Sequence, residues 1–118
     1  MKAELKNVYS PDTDDLENYS PEKYDEFCIL IQAVIGPYKG VGEENFDFIV
    51  CTPRWIEGEI KKESMLFGKG YLIIKDYNYK LILRAIQDLC SRVSGDDWKT
   101  IANKISRFGD WEFEDYHQ

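Results

Sequence analysis

The chain lacks any apolar run of the roughly 20 residues that a membrane-spanning helix needs. Its first residues, Met1 to Leu5, also lack the long apolar stretch of a signal peptide. These absences exclude an integral membrane protein of the helical class. We also expect no membrane as a partner. The sequence therefore predicts a cytoplasmic protein.

Histidine is almost missing, and its scarcity argues against acid–base catalysis. The single histidine is His117, one residue from the C-terminus, where chains fray and burial rarely tunes a pKa. No nucleophile elbow or triad motif accompanies it. Gly36, Gly40 and Gly42 lack the Walker spacing, because Lys39 is not followed by Ser or Thr. We predict no catalytic residue and no enzyme activity.

Cysteines are few, and their number is odd. Cys28, Cys51 and Cys90 lie far apart in apolar stretches, which argues against a disulfide framework or a zinc site and predicts buried, reduced thiols. A calcium loop starting at Asp12 is also excluded, since Glu17 stands where the loop needs glycine and Lys23 where it needs a bidentate glutamate. We expect no metal and no cofactor.

Positive charge is in deficit: the formal net charge of the 118 residues is −7 at pH 7. Proteins that bind nucleic acids gain affinity by neutralising phosphates with clustered Lys and Arg, so this balance opposes a nucleic-acid partner. A basic protein partner fits the charge better.

The negative charge is concentrated in three segments. We name them the acidic loop (11–26), the hairpin segment (43–47) and the C-terminal segment (110–115), and together they carry −13. Residues 54–107 instead carry a net +4. If the three segments converge, they form a surface that steers a basic partner.

Apolar patterns indicate a single domain over residues 1–118 with the element order β-loop-β-β-α-β-α-α-β. The predicted strands are 2–6, 27–35, 44–51, 71–74 and 111–114. The second is nearly continuous apolar sequence, typical of a central strand buried on both faces. This order predicts an α+β fold, with a largely antiparallel sheet and helices packed on one face.

Three helices are indicated by caps and apolar spacing. Thr52 and Pro53 suit an N-cap and first helical residue, although Gly58 makes that helix marginal. A longer helix follows from Asp76 to Val93. The last starts after Asp97, with Trp98, Ile101, Ala102, Ile105 and Phe108 on one face.

Ten carboxylates are the candidate partner-binding residues. They are Asp12, Asp14, Asp15, Glu17, Glu22, Glu43, Glu44, Glu112, Glu114 and Asp115. Tyr9, Tyr19, Tyr24 and Trp55 lie within or beside the acidic segments, and exposed aromatics among charges often supply interface contacts. For Trp55, core packing is favoured.

Four stretches resemble the bacterial polymorphic-toxin immunity family numbered eight. They are Met1-Lys2-Ala3-Glu4-Leu5-Lys6, Ser10-Pro11-Asp12, Phe46-Asp47-Phe48-Ile49-Val50-Cys51-Thr52-Pro53 and Trp111-Glu112-Phe113-Glu114-Asp115-Tyr116. The resemblance implies a cytosolic protein that binds and blocks a toxin domain, delivered by a neighbouring cell or made by the same cell. It implies no catalytic residues and assigns no contact role to any matched position.

Three functions compete at this point. The leading hypothesis is stoichiometric: the acidic surface docks on a basic cognate toxin domain, which its charge predicts to be a nuclease, and covers its active site or substrate channel. The alternatives are an acidic adaptor or regulatory subunit, which would give no protection against a toxin, and a small enzyme with paired carboxylates. A single Asp or Glu substitution would abolish the turnover of such an enzyme.

Overall fold

In the second strand, buried side chains alternate with half-buried ones over residues 28–35. A computed structural model of the chain describes residues 1–114. The elements are β1 (Ala3–Tyr9), β2 (Cys28–Pro37), β3 (Glu44–Cys51), α1 (Pro53–Glu63), β4 (Tyr71–Ile73), α2 (Tyr79–Arg92), α3 (Trp98–Ile105) and β5 (Asp110–Trp111). This order of elements is the order that the sequence predicts.

The five strands form one mixed sheet in the order β1-β2-β3-β4, and β5 also pairs with β3. Every pairing is antiparallel except that of β3 with β4, which are joined through α1 and run parallel. The α+β class and the largely antiparallel sheet are thus confirmed.

The core lies on one face of the sheet. Ile29, Ile31, Ala33 and Ile35 of β2 are almost fully buried, whereas the residues between them are half-buried. The prediction that β2 is buried on both faces is therefore wrong for one face. The alternation follows from the period of two, because successive side chains leave a strand in opposite directions.

Helices α2 and α3 cover the buried face. Each begins at a polar cap: the Asn78 side chain accepts a hydrogen bond from the Leu81 amide at 3.0 Å, and Asp97 accepts one from the Thr100 amide at 2.8 Å. Helix α2 therefore starts three residues later than the predicted Asp76. Both helices contribute buried residues to the core, namely Ile82, Ile86, Cys90, Ile101, Ala102 and Ile105.

Two sequence predictions fail near the C-terminus. Helix α3 ends at Ile105, so Phe108 leaves the helix face and is exposed. The predicted strand 111–114 is also too long, since β5 ends at Trp111 and the Glu114 amide folds back to the Trp111 carbonyl at 3.0 Å. The two aromatic residues of this segment still take part in packing. Trp111 packs against the core, and Phe113 packs edge-on against Trp111.

Helix α1 differs from the other two because it contributes no buried side chain. Its N-cap is the fully buried Thr52, whose hydroxyl accepts hydrogen bonds from the amides of Trp55 and Phe27. Trp55 is only half-buried, so its predicted place in the core is wrong. Within residues 1–114, no helix combines the length and apolar character needed to cross a membrane.

The turn between β2 and β3 depends on a close approach of backbone. A Cβ atom at Gly36 would lie 2.1 Å from the Gly42 carbonyl oxygen, so only glycine fits there. Gly42 has a φ of 101°, in the region that side chains disfavour. Together they fix the hairpin that presents Glu43 and Glu44.

Candidate functional site

Tyr77 is one of the residues that hold the acidic loop against the rest of the fold. Its hydroxyl donates to the Leu16 carbonyl at 2.5 Å, and its amide donates to the Tyr24 carbonyl at 3.1 Å. Its ring packs edge-on against Tyr19 and Phe27, with centroids 5.1 and 5.4 Å away. Burial, reinforced by neighbouring Tyr19, raises the pKa of Tyr77 to about 12. The phenol therefore stays protonated and donates throughout the neutral range.

Two candidate carboxylates shape the acidic loop itself. Asp12 accepts a hydrogen bond from the Leu30 amide at 2.9 Å, which ties the loop to β2 beyond the last residue that pairs with β1. Asp15 accepts from the Asn18 side-chain amide at 2.8 Å, and this bond holds the pKa of Asp15 below its usual value. Both carboxylates therefore accept hydrogen bonds within the fold.

The hairpin and C-terminal segments meet through backbone and side-chain bonds. The Asn45 amide donates to the Glu112 carboxylate at 2.9 Å, and the Glu112 amide donates to the Asn45 carbonyl at 3.1 Å. Pairing of β3 with β5 sets Asp47 opposite Asp110. Two of the three acidic segments are therefore side by side.

Tyr9, at the end of β1, lies between the acidic loop and the other two segments. On one side it lines a hollow of about 190 Å³ with Asp14, Asp15 and Glu17. On the other side it lines a hollow of about 370 Å³ with Glu43, Glu44 and Glu112. Its hydroxyl donates to the Asn45 side-chain oxygen at 3.3 Å. Six candidate carboxylates thus converge on the two sides of one tyrosine.

Glu44 has a different role from its neighbours, because it accepts hydrogen bonds from two tryptophans. Its Oε1 atom lies 2.5 Å from Nε1 of Trp98 and 3.1 Å from Nε1 of Trp111. Both rings pack against Phe46, Trp111 by stacking and Trp98 edge-on. Glu44 therefore joins β3, α3 and β5 as well as lining the hollow.

Replacement of Glu44 by alanine should destabilise the fold by about 2–3 kcal/mol, because two half-buried indole N–H groups lose their acceptor. Glu44→Gln keeps an acceptor oxygen and should cost about 1 kcal/mol or less. Urea unfolding followed by tryptophan fluorescence measures both. Glu43→Ala is the matched control, since Glu43 is exposed and has no partner within residues 1–114. Equal, small effects of Glu44→Ala and Glu43→Ala would show that the indole bonds are unimportant.

The remaining candidates are not all part of the two hollows. Both carboxylate oxygens of Glu114 lie within 2.7 Å of the Lys69 ammonium, so this charge is neutralised by an ion pair. Glu22 is exposed in the acidic loop and lines neither hollow. Asp115 lies outside the described residues, as does His117. Tyr24 is exposed and Tyr19 is half-buried against Tyr77.

Four carboxylates remain available to a partner. No hydrogen bond or ion pair within residues 1–114 engages the side chains of Asp14, Glu17, Glu22 and Glu43, and all four are exposed. Solvated charges of this kind act over several ångströms and lose little solvation until a partner docks. These four carboxylates are therefore the candidates whose charge stays solvated in the folded chain.

The cysteines offer no reactive centre. Burial raises the pKa of the Cys51 thiol to about 12 and that of the Cys90 thiol to about 11. Cys28 is only half-buried, contrary to the prediction, but burial and then the charge of Asp12 raise its pKa to about 11. All three are free thiols, as predicted. Among the described residues, no three His, Cys, Asp or Glu side chains are grouped to hold a metal ion.

Two residues that organise this surface were missed by the sequence reasoning. Tyr77 stands in a connection between β4 and α2, and Lys69 in the connection before β4. Tyr77 is 61 residues from its acceptor Leu16, and Lys69 is 45 residues from Glu114. No local sequence pattern therefore indicates these contacts. The only signal was residue type, a tyrosine and a lysine outside the periodic segments.

The sequence of the chain is similar to that of a known protein family. The family described as Immunity protein 8 matches residues 3–116, which is nearly the whole chain. No curated protein matches the sequence, and no solved structure matches it either.

Proposed function

The chain belongs to the immunity protein 8 family, and from that premise we propose that its acidic surface binds and neutralises a basic cognate toxin domain. The observation that carries the proposal is the convergence of six carboxylates around Tyr9. An immunity protein has a toxin as its partner, and this surface has the charge to recognise a basic one.

We propose that the toxin domain is a nuclease. A nuclease binds phosphate groups with Lys and Arg, so its substrate channel is positively charged. Carboxylates spaced along an exposed surface resemble a row of phosphates in charge, and they can occupy the same channel. Inhibition would then be stoichiometric occlusion rather than catalysis. In this proposal the complex forms in the cytoplasm, where a toxin delivered by contact from a neighbouring cell would meet its substrate.

Segregation of charge supports docking through one face. The three acidic segments carry −13, whereas residues 54–107 carry +4. A molecule with such an uneven distribution approaches a basic partner in a preferred orientation, and this raises the association rate at low salt. Tyr9, 41% exposed between the two hollows, supplies an aromatic surface at the centre.

The proposal is tested by co-expressing the chain with the toxin domain encoded beside it. We expect cells to survive and the two proteins to purify together in a 1:1 ratio. Purified complex should also lack the nuclease activity of the free toxin domain. Cell death with no complex would overturn the proposal, and survival without a complex would exclude stoichiometric binding.

A competition experiment separates occlusion from distortion of the toxin. If the acidic surface occupies the substrate channel, a non-cleavable nucleic acid and this chain should exclude each other from the toxin domain. A ternary complex that is stable yet inactive would contradict occlusion.

A further inference from the structure

An apolar segment between α1 and β4 is unusually exposed. Met65, Leu66 and Phe67 are 70%, 36% and 89% exposed, and Ile60 in the last turns of α1 is 44% exposed. Soluble proteins rarely display consecutive large apolar side chains to water, and such patches mark interaction sites. We name residues 65–67 the apolar loop.

The fold itself holds this loop outward. Helix α1 is capped by Ser64, whose amide donates to the Ile60 carbonyl at 2.8 Å. The φ of 70° at Ser64 ends the helix and turns the chain. On the other side, the Tyr71 amide bonds to the Gly68 carbonyl at 3.3 Å. The connection is therefore short and defined at both ends. Binding then has a lower entropic cost, because the loop is already ordered.

Acidic side chains outnumber basic ones around the apolar loop. Lys69, two residues after Phe67, lies 2.6 Å from Glu114 and 3.9 Å from Asp110. One lysine faces a segment with three described carboxylates, Asp110, Glu112 and Glu114, which leaves the border negative. On α1, Lys61 and Lys62 are already paired with Glu57 and Glu59.

We infer that the apolar loop inserts into an apolar cavity with a basic rim on the same toxin domain that the acidic surface binds. This inference rests on the proposed function and adds the contact that resists dissociation. The loop is joined to the C-terminal acidic segment through Lys69, so one basic partner can cover both. The basic rim of the cavity is complementary in charge to the acidic border of the apolar loop. Burial of Phe67 adds binding free energy that salt does not screen.

A second copy of this chain is the competing occupant. An apolar hollow of about 580 Å³ between β4 and α2 carries Arg84 and Arg92 among its lining residues. Two copies that inserted the apolar loop into each other's hollow would form a twofold-symmetric dimer. Two copies that each carry a net charge of −7 repel one another, which favours a basic toxin domain as the occupant.

The test compares Phe67→Ser with Phe108→Ser, the same change at another exposed phenylalanine. Stopped-flow and surface-binding kinetics with the toxin domain encoded beside the chain give both rates. We expect Phe67→Ser to raise the dissociation rate roughly 10- to 100-fold and to leave the association rate at low salt unchanged. Phe108→Ser should leave both rates unchanged, and neither variant should shift the urea midpoint.

Each other outcome contradicts the inference in its own way. If the wild-type chain does not bind the toxin domain, the proposed function fails and the inference fails with it. If wild type binds and Phe67→Ser dissociates at the wild-type rate, only the inference fails. If the free chain sediments as an oligomer that Phe67→Ser converts to a monomer, the occupant is a second copy.

Discussion

Replacement of Tyr77 by alanine should both destabilise the protein and release the acidic loop. The side chain contacts Tyr19 and Phe27 and donates to Leu16, so its removal leaves a cavity and an unpaired carbonyl. Truncation of a large aromatic costs about 3–5 kcal/mol when it is fully buried, and Tyr77 is half-buried, so we expect about 2–4 kcal/mol. Urea unfolding gives the free energy of unfolding.

The Tyr77 prediction has a local readout as well as a global one. Hydrogen exchange of the amides in residues 11–26 should accelerate far more than that of β2 and β3, because the loop opens without unfolding the sheet. Association with the toxin domain should slow in parallel, since the loop carboxylates no longer sit beside Tyr9. Equal protection of the loop in wild type and variant would show that Tyr77 does not hold it.

Tyr77→Phe is the matched control, because it keeps the ring contacts and removes only the hydroxyl. It should cost about 1 kcal/mol, the usual net value of a hydrogen bond. The folded pKa is raised from 10.0 to about 12, so the tyrosine ionises more readily in the unfolded chain. The stability that wild type gains over Tyr77→Phe is therefore present below pH 10 and declines as the pH rises toward 12.

The sequence predicted those parts of the fold that depend on local periodicity and caps. The nearly continuous apolar run 27–35 predicted β2, the Thr52-Pro53 pair predicted the start of α1, and the apolar spacing after Asp97 predicted the start of α3. These features follow from backbone geometry and the hydrogen bonds of one turn. Strand order does not, since it depends on which distant segments pair.

The sequence predicted which segments are acidic but not the role of each carboxylate within them. Charge counting identified the three segments, yet it could not distinguish the solvated Glu43 from the adjacent Glu44, which binds two indoles. Nor could it show that Lys69 neutralises Glu114. Both distinctions depend on tertiary contacts more than 40 residues apart, and those contacts leave no mark in the local pattern.

Removal of three solvated charges should slow toxin binding strongly without affecting stability. The variant Asp14→Asn, Glu17→Gln, Glu43→Gln changes only exposed carboxylates that line the two hollows. Electrostatic steering accelerates association by 10- to 1000-fold, so loss of three central charges should reduce the association rate about tenfold at low salt. Stopped-flow mixing at several salt concentrations measures the rate and its salt dependence.

The control variant, Asp76→Asn, Asp88→Asn, Asp96→Asn, makes the same change in net charge at exposed positions that line neither hollow. It should slow association by less than about twofold near physiological salt, where charges beyond a Debye length of about 8 Å are screened. The variant that lacks the charges of Asp14, Glu17 and Glu43 should also show a flatter dependence of the association rate on salt, because fewer charge pairs form at the encounter. If both triple variants slow association equally, net charge alone matters, and the surface around Tyr9 is not where the partner approaches.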